Sequence, residues 1–162
     1  MRLFFFLATC RDHGAARITA VVPWLPYARK DRMTWARDPV TSRYVAQLFE
    51  AVGTDQLVTV DVHNLAALQN GFRCRTVHLD TCRPFSNHIA QQSADREVTI
   101  LSPDSGGTKR AELLRKSVED VRNRPTGFAF MEKHRSGGQV RGDLFAGDVE
   151  GRDVWIVDDM ID

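Results

Sequence analysis

The chain has 162 residues, 43% of them hydrophobic and 27% charged, the make-up of a folded globular protein, which excludes disordered, collagen-like and low-complexity classes. Lys+Arg at 22 against Asp+Glu at 21 leaves a formal charge of +1, so no net basic field draws the chain toward nucleic acid or an anionic membrane. Cys10, Cys74 and Cys82 fit neither a disulfide framework nor a CxxC metal site, and a reducing cytoplasm is the default location.

The first segment, Leu3-Phe4-Phe5-Phe6-Leu7-Ala8-Thr9-Cys10, imitates a lipoprotein signal. It is too short to cross a bilayer, which needs about 20 apolar residues. It is expected to be a buried helix ending near Gly14 as the C′ residue. Ile18-Thr19-Ala20-Val21-Val22 reads as a strand closed by Pro23, since proline cannot donate to a ladder. A basic loop follows, and Asp38-Pro39 is expected to open a helix as N-cap and first helical residue. In that helix Val40, Tyr44, Val45, Leu48, Phe49 and Val52 recur at helical spacing, so their stripe should face the sheet, with Gly53 as the stop. Leu57-Val58-Thr59-Val60 is the next strand, and the polar stretch 80–95 suits a crossing between two lobes.

A second round follows with strand Val98-Thr99-Ile100-Leu101, loop 102–107, a helix over about 108–121, a strand over 127–131 and a final strand Val154-Trp155-Ile156-Val157. Such alternation is the signature of an α/β fold with a largely parallel sheet. No strand precedes the first helix and no covering helix follows the last strand, so the chain is expected to be a segment of a longer one.

In open α/β sheets ligands bind at the carboxyl ends of strands, and polar residues crowd those positions here. His63 follows one strand as a solvated loop residue or a ligand. Asp104-Ser105-Gly106-Gly107 is a turn with a helix N-terminus, or a set of backbone N–H groups for phosphate or a metal-bound oxyanion. Glu132-Lys133-His134-Arg135-Ser136-Gly137-Gly138 reads as a mobile loop, solvated or acting as a lid whose cations meet phosphoryl charge on closure. Asp158-Asp159 repel each other unless a metal or sugar hydroxyls compensate. Cations and aromatics alternate in the loop from Tyr27 to Arg37, a vocabulary that serves a nucleotide. No GxxxxGK[ST] occurs, so any ATP is not held by a P-loop.

Seven stretches in order carry a resemblance: Arg17-Ile18-Thr19-Ala20-Val21-Val22-Pro23, Tyr27-Ala28-Arg29-Lys30-Asp31-Arg32, Val60-Asp61-Val62-His63, Ser102-Pro103-Asp104-Ser105-Gly106-Gly107, Lys133-His134-Arg135, Gly147-Asp148-Val149 and Val157-Asp158-Asp159-Met160-Ile161-Asp162. The sequence resembles the ribose-phosphate pyrophosphokinases, or phosphoribosyl pyrophosphate synthetases. The resemblance implies phosphoribosyltransferase-like parallel sheets flanked by helices in two incomplete lobes, 1–80 on the ATP side and 81–162 on the ribose 5-phosphate side. It further implies transfer of pyrophosphate from Mg-ATP to the 1-hydroxyl of ribose 5-phosphate, releasing AMP, in the service of nucleotide biosynthesis.

By the same resemblance, Arg29, Lys30, Asp31 and His63 are expected to bind ATP, and His63 and Asp104 to hold its Mg2+. Lys133 and Arg135 are the expected catalytic cations, and Asp158, Asp159 and Asp162 the ribose 5-phosphate residues. Lys30 departs from the glutamine frequent in the family, and the phosphate loop expected beyond Asp162 is not in the sequence. The complete protein is expected to be a cytoplasmic homo-oligomer using ATP and ribose 5-phosphate, without nucleic-acid or membrane partners. The 162-residue chain is expected to be inactive alone. Two other readings stay open. One is a non-catalytic truncated member that associates with full-length subunits. The other is a phosphoribosyltransferase, which would share Asp158-Asp159 but has no need of Val60-Asp61-Val62-His63 or the Lys-His-Arg stretch.

Overall fold

A computed structural model describes residues 1–136 and 139–160, with the backbone alone for 133–136 and 139–143. The described chain forms two compact units, Met1–Asp80 and Thr81–Asp162. No helix among the described residues is long and apolar enough to cross a membrane.

In the first unit, strands β1 (Thr19–Val21), β2 (Gln56–Val60) and β3 (Arg75–Leu79) form a parallel sheet in that order. Helix α1 (Arg2–Asp12) precedes it, and α2 (Thr41–Ala51) and α3 (Leu65–Gly71) make the crossovers that parallel strands require. Alternation along β2 buries Leu57 and Thr59, and Ala20 is buried in β1, as the period of two demands. Phe49 is the hub of the core: its ring lies 4.7 Å from Phe4 and 6.2 Å from Phe72, joining α2 to α1 and to the residue after α3.

A polar staple holds the entry to β1. The Arg11 guanidinium donates to the carbonyls of Ala15 at 2.9 Å and Gly53 at 2.6 Å, and to the Asp55 carboxylate at 2.6 Å. The same Asp55 oxygen accepts the Ile18 N–H at 2.7 Å. That backbone bond and then Arg11 hold the Asp55 carboxyl below the usual carboxylate range.

In the second unit, β4 (Val98–Ser102), β5 (Gly127–Ser136), β6 (Gln139–Ala146) and β7 (Asp153–Ile156) lie in the order β6-β5-β4-β7. Strand β4 pairs parallel with β5 and β7, and β6 runs antiparallel to β5. Every residue of β4 is buried, the mark of a central strand covered on both faces. Helices α4 (Cys82–Gln92) and α5 (Thr108–Arg122) pack together and supply Ile89, Ala111, Leu114 and Val118 to the core. Next to that buried stripe α5 carries Arg115, paired with Glu112 at 2.8 Å and Glu119 at 2.7 Å. It ends at Asn123, whose φ of 50° is the left-handed C-terminal conformation that asparagine tolerates.

The structure corrects several expectations. The apolar opening is helical, but only Leu7 is buried and Phe5 and Phe6 are about two-thirds exposed, because a lone helix turns only one face to its core. Helix α2 begins after Val40, not at Asp38. The Asp38 carboxylate is taken by the Lys30 ammonium at 2.6 Å and by the backbone N–H groups of Thr34 and Trp35, each at 3.0 Å; loop donors outcompete a cap. Val45, Ala46 and Phe49 face the core, while Tyr44 and Leu48 of the expected stripe are exposed. The polar stretch 80–95 contains helix α4, whose Ser86 and Ile89 are buried. Lys133-His134-Arg135 does not lie in a loop: it belongs to β5, paired with residues 140–142 of β6. An antiparallel partner satisfies the backbone whatever the side chains.

Gly147, in the turn after β6, has a φ of +127°, and a Cβ there would meet Ala129 Cβ at 2.5 Å and the Phe128 carbonyl at 2.7 Å. The neighbouring Asp148 carbonyl accepts from the buried Thr99 hydroxyl at 2.9 Å. Gly147→Ala should therefore cost roughly 3 kcal/mol or more from strain and overpacking together. Urea unfolding checks this, and an unchanged midpoint would show that the turn can move away from β5.

Candidate functional site

In the first unit the loops leaving β1 and β2 lie at the carboxyl edge of the sheet, where ligands enter open α/β folds. The loop after β1 carries Arg29, Lys30 and Asp31. Arg29 is exposed, and Lys30 is held by Asp38, the anchor of residues 34–38. That ammonium, with the two backbone bonds, keeps the Asp38 carboxyl below its ordinary range. Asp31 accepts from the Asn64 amide at 2.6 Å, and Asn64 caps α3 by accepting the Ala67 N–H at 3.2 Å. The loops after β1 and β2 are thereby tied together beside His63, which is exposed. Asp61 adopts a φ of 40°, a turn conformation aspartate tolerates, and the Val62 N–H donates to His78 Nε2 at 3.3 Å.

In the second unit the chain leaves β4 toward β5 on one side and returns as β7 on the other. This is a topological switch point, where the crevice opens at the carboxyl ends. Ser102 ends β4 and donates its buried hydroxyl to the Asp104 carbonyl at 2.7 Å. Asp104 Oδ1 accepts the Gly107 N–H at 2.9 Å, closing the turn that starts α5. A Cβ on Gly107 would lie 2.8 Å from the Ser102 hydroxyl, which explains the glycine. The Val157 N–H donates to the Leu101 carbonyl at 3.1 Å, bringing the residues after β7 alongside this turn.

Asp158 and Asp159 sit there together, with the Asp159 N–H on Asp158 Oδ1 at 2.8 Å. Arg110 of α5 approaches both carboxylates, at 3.9 Å from Asp158 and 3.8 Å from Asp159. Burial pushes the Asp158 carboxyl up, and the charges of Asp159 and Asp104 add to it. Arg110, Asn64 and His78 were not singled out in the sequence, and Asp38 was read only as a helix cap. Only the basic pair Lys109-Arg110, just after the glycine turn, could have signalled the first of them.

Strand β5 continues past its pairing with the end of β4, so the backbone of Lys133 and Arg135 lies beyond the same carboxyl edge. Asp162 lies outside the described residues. His63 and Asp104 belong to different units. Among the described residues no three His, Cys, Asp or Glu side chains converge as a metal cage.

Because its folded form favours the proton, the stability from Asp158 is present below its ordinary value of 3.8 and is lost as pH rises through the higher folded value. Asp158→Asn should therefore raise Tm at pH 7, with the advantage vanishing below pH 3.8. Thermal melts across that range check this, and an equal gain at both ends would assign the effect to packing instead.

The family model for the N-terminal domain of ribose phosphate pyrophosphokinase matches residues 1–53. Across its full length the chain is 34% identical to the ribose-phosphate pyrophosphokinase of Parasynechococcus marenigrum and covers 47% of it. It is 32% identical to ribose-phosphate pyrophosphokinase 2 of Saccharomyces cerevisiae, covering 49%, and 36% identical to the Mycobacterium leprae enzyme, also covering 49%. The crystal structure of phosphoribosylpyrophosphate synthetase from Mycobacterium smegmatis superposes with a TM-score of 0.82 at 31% identity, over 98% of this chain and 49% of that one. The chain spans about half the length of the curated relatives it matches. Over that span, the chain is similar to ribose-phosphate pyrophosphokinases in sequence and in its pair of α/β units.

Proposed function

We propose that this protein serves ribose-phosphate diphosphokinase chemistry, in which the pyrophosphoryl group of Mg-ATP passes to the 1-hydroxyl of ribose 5-phosphate. The observation that carries this reading is the carboxyl edge of the second sheet. The Asp104 turn, the Asp158-Asp159 pair and the extended β5 bearing Lys133 and Arg135 all issue from it. In this reading the sugar oxygen attacks the β-phosphorus, the bond from that phosphorus to the α–β bridging oxygen breaks, and AMP leaves with that oxygen. The hydroxyl proton passes to solvent or a base.

The proposed roles follow from charge. Paired carboxylates suit ribose hydroxyls, which donate hydrogen bonds that relieve their mutual repulsion. Cations beyond the sheet edge suit the charge developing on the phosphoryl oxygens. In the first unit, Arg29 suits the nucleotide phosphates as a planar fork and Lys30 as a point charge, with Asp31 positioning the loop and His63 beside it. Lys30 must leave Asp38 or share it to do so. The magnesium enters with the nucleotide, and Asp104 and His63 are the proposed contacts.

The test is AMP release from Mg-ATP, dependent on ribose 5-phosphate, by the protein as its source cell makes it. No such release would overturn the proposal and favour the associating, non-catalytic member. In the active form, Lys133→Ala should leave ATP affinity within a few fold and lower turnover about a hundredfold, ~3 kcal/mol of transition-state stabilisation; steady-state kinetics decide. His63→Ala should instead raise the magnesium concentration needed for half activity, and a magnesium titration matching the parent would remove His63 from that role.

A further inference from the structure

At the opposite, amino edge of the second sheet lies a pocket of about 290 Å³ that the proposed chemistry does not use. Its wall is built where β4, β5 and β7 begin, and it carries four arginines: Arg96, Arg122, Arg124 and Arg152. Two of these are neutralised. Arg96 pairs with Asp153 at 2.7 Å, and Arg152 pairs with Asp148 at 2.9 Å and Glu97 at 3.1 Å.

The other two are not. Arg122 donates only to the carbonyls of Ser93 at 2.9 Å and Arg96 at 2.5 Å, and Arg124 to the carbonyl of Ala94 at 3.0 Å. Neither has a carboxylate partner among the described residues. The Nη1 of Arg122 is buried without a hydrogen-bond partner, and so is the hydroxyl of Thr126 in the same wall. Buried donors of this kind are costly unless something accepts from them. Burial and then the neighbouring Arg124 charge work against the Arg122 cation, only partly offset by the Asp153 charge, and a bound anion would favour the cation.

We propose that this amino-edge pocket is a binding site for a phosphoryl dianion. A tetrahedral oxyanion offers acceptors to planar guanidinium forks and to a hydroxyl at once, the geometry in which arginine binds phosphate most strongly. The pocket is at the small end of ligand sites, so it holds inorganic phosphate or the head of a small phosphate ester and not a whole nucleotide.

The test is a titration of the chain with inorganic phosphate at constant ionic strength, set by sodium chloride and read at the backbone amides. Saturable shifts are expected at Thr126 and Gly127, separate from any at Gly106 and Gly107 on the carboxyl edge. Arg124→Gln should weaken the amino-edge dissociation constant at least tenfold, and Arg124→Lys should recover part of it. Arg124 is chosen because Arg122 also ties the end of α5 to Ser93 and Arg96, and its loss could unfold the unit. Shifts confined to Gly106 and Gly107, shifts reproduced by chloride alone, or an unchanged constant in Arg124→Gln would each overturn the site. Competition by glycerol phosphate would identify esters as ligands, and no competition would leave free phosphate.

Discussion

Complete burial of β4 is the constraint on which the second unit depends. A strand flanked on both sides by parallel partners and covered on both faces has no solvent to satisfy its polar side chains, so each must find a protein partner. Thr99 and Ser102 are the two hydroxyls in it, and each is spent on a loop carbonyl: Asp148 for one, Asp104 for the other. The hydrogen bonds that settle the strand's own account therefore also fix the turn under β5 and the turn that opens α5. Packing and site geometry here have one cause.

Charge compensation is the second organising principle, and it is solved differently at the two edges of that sheet. At the carboxyl edge, burial and then the charges of Asp159 and Asp104 push the Asp158 carboxyl above its ordinary range, with Arg110 standing near the pair. At the amino edge, arginines are in excess over carboxylates. The former edge suits donors such as sugar hydroxyls, and the latter suits an anion. In the first unit the charges are instead paired internally, Lys30 with Asp38 and Arg11 with Asp55, and shape loops and strand entry.

Elements with strong local signals were legible in the sequence. The β-branched runs of β1, β2, β4 and β7, the stop at Gly53 and the long helix α5 all follow from patterns within a few residues of chain. The elements that were missed carry weak local signals. Helix α3 is only seven residues long, helix α4 is polar on most of its surface, and the far half of β5 has the composition of a loop. Packing decides two of them: α4 lies against α5, and the far half of β5 pairs with β6, the next strand of the chain. Asp38 misled because its choice between capping a helix and accepting from Lys30, Thr34 and Trp35 is decided by how the loop folds back.

The sequence by itself determined the α/β class, the family likeness and the chemical character of the strand-end residues, because side-chain type and short-range periodicity are local properties of the chain. Only the tertiary structure decided which of those residues share an environment. It set Arg110 near Asp158 and Asp159, tied Asp31 to Asn64, placed Lys133 and Arg135 on a paired strand, and gathered four arginines from three separate stretches around one pocket. Such meetings depend on strand order and register, which no single stretch of the sequence contains.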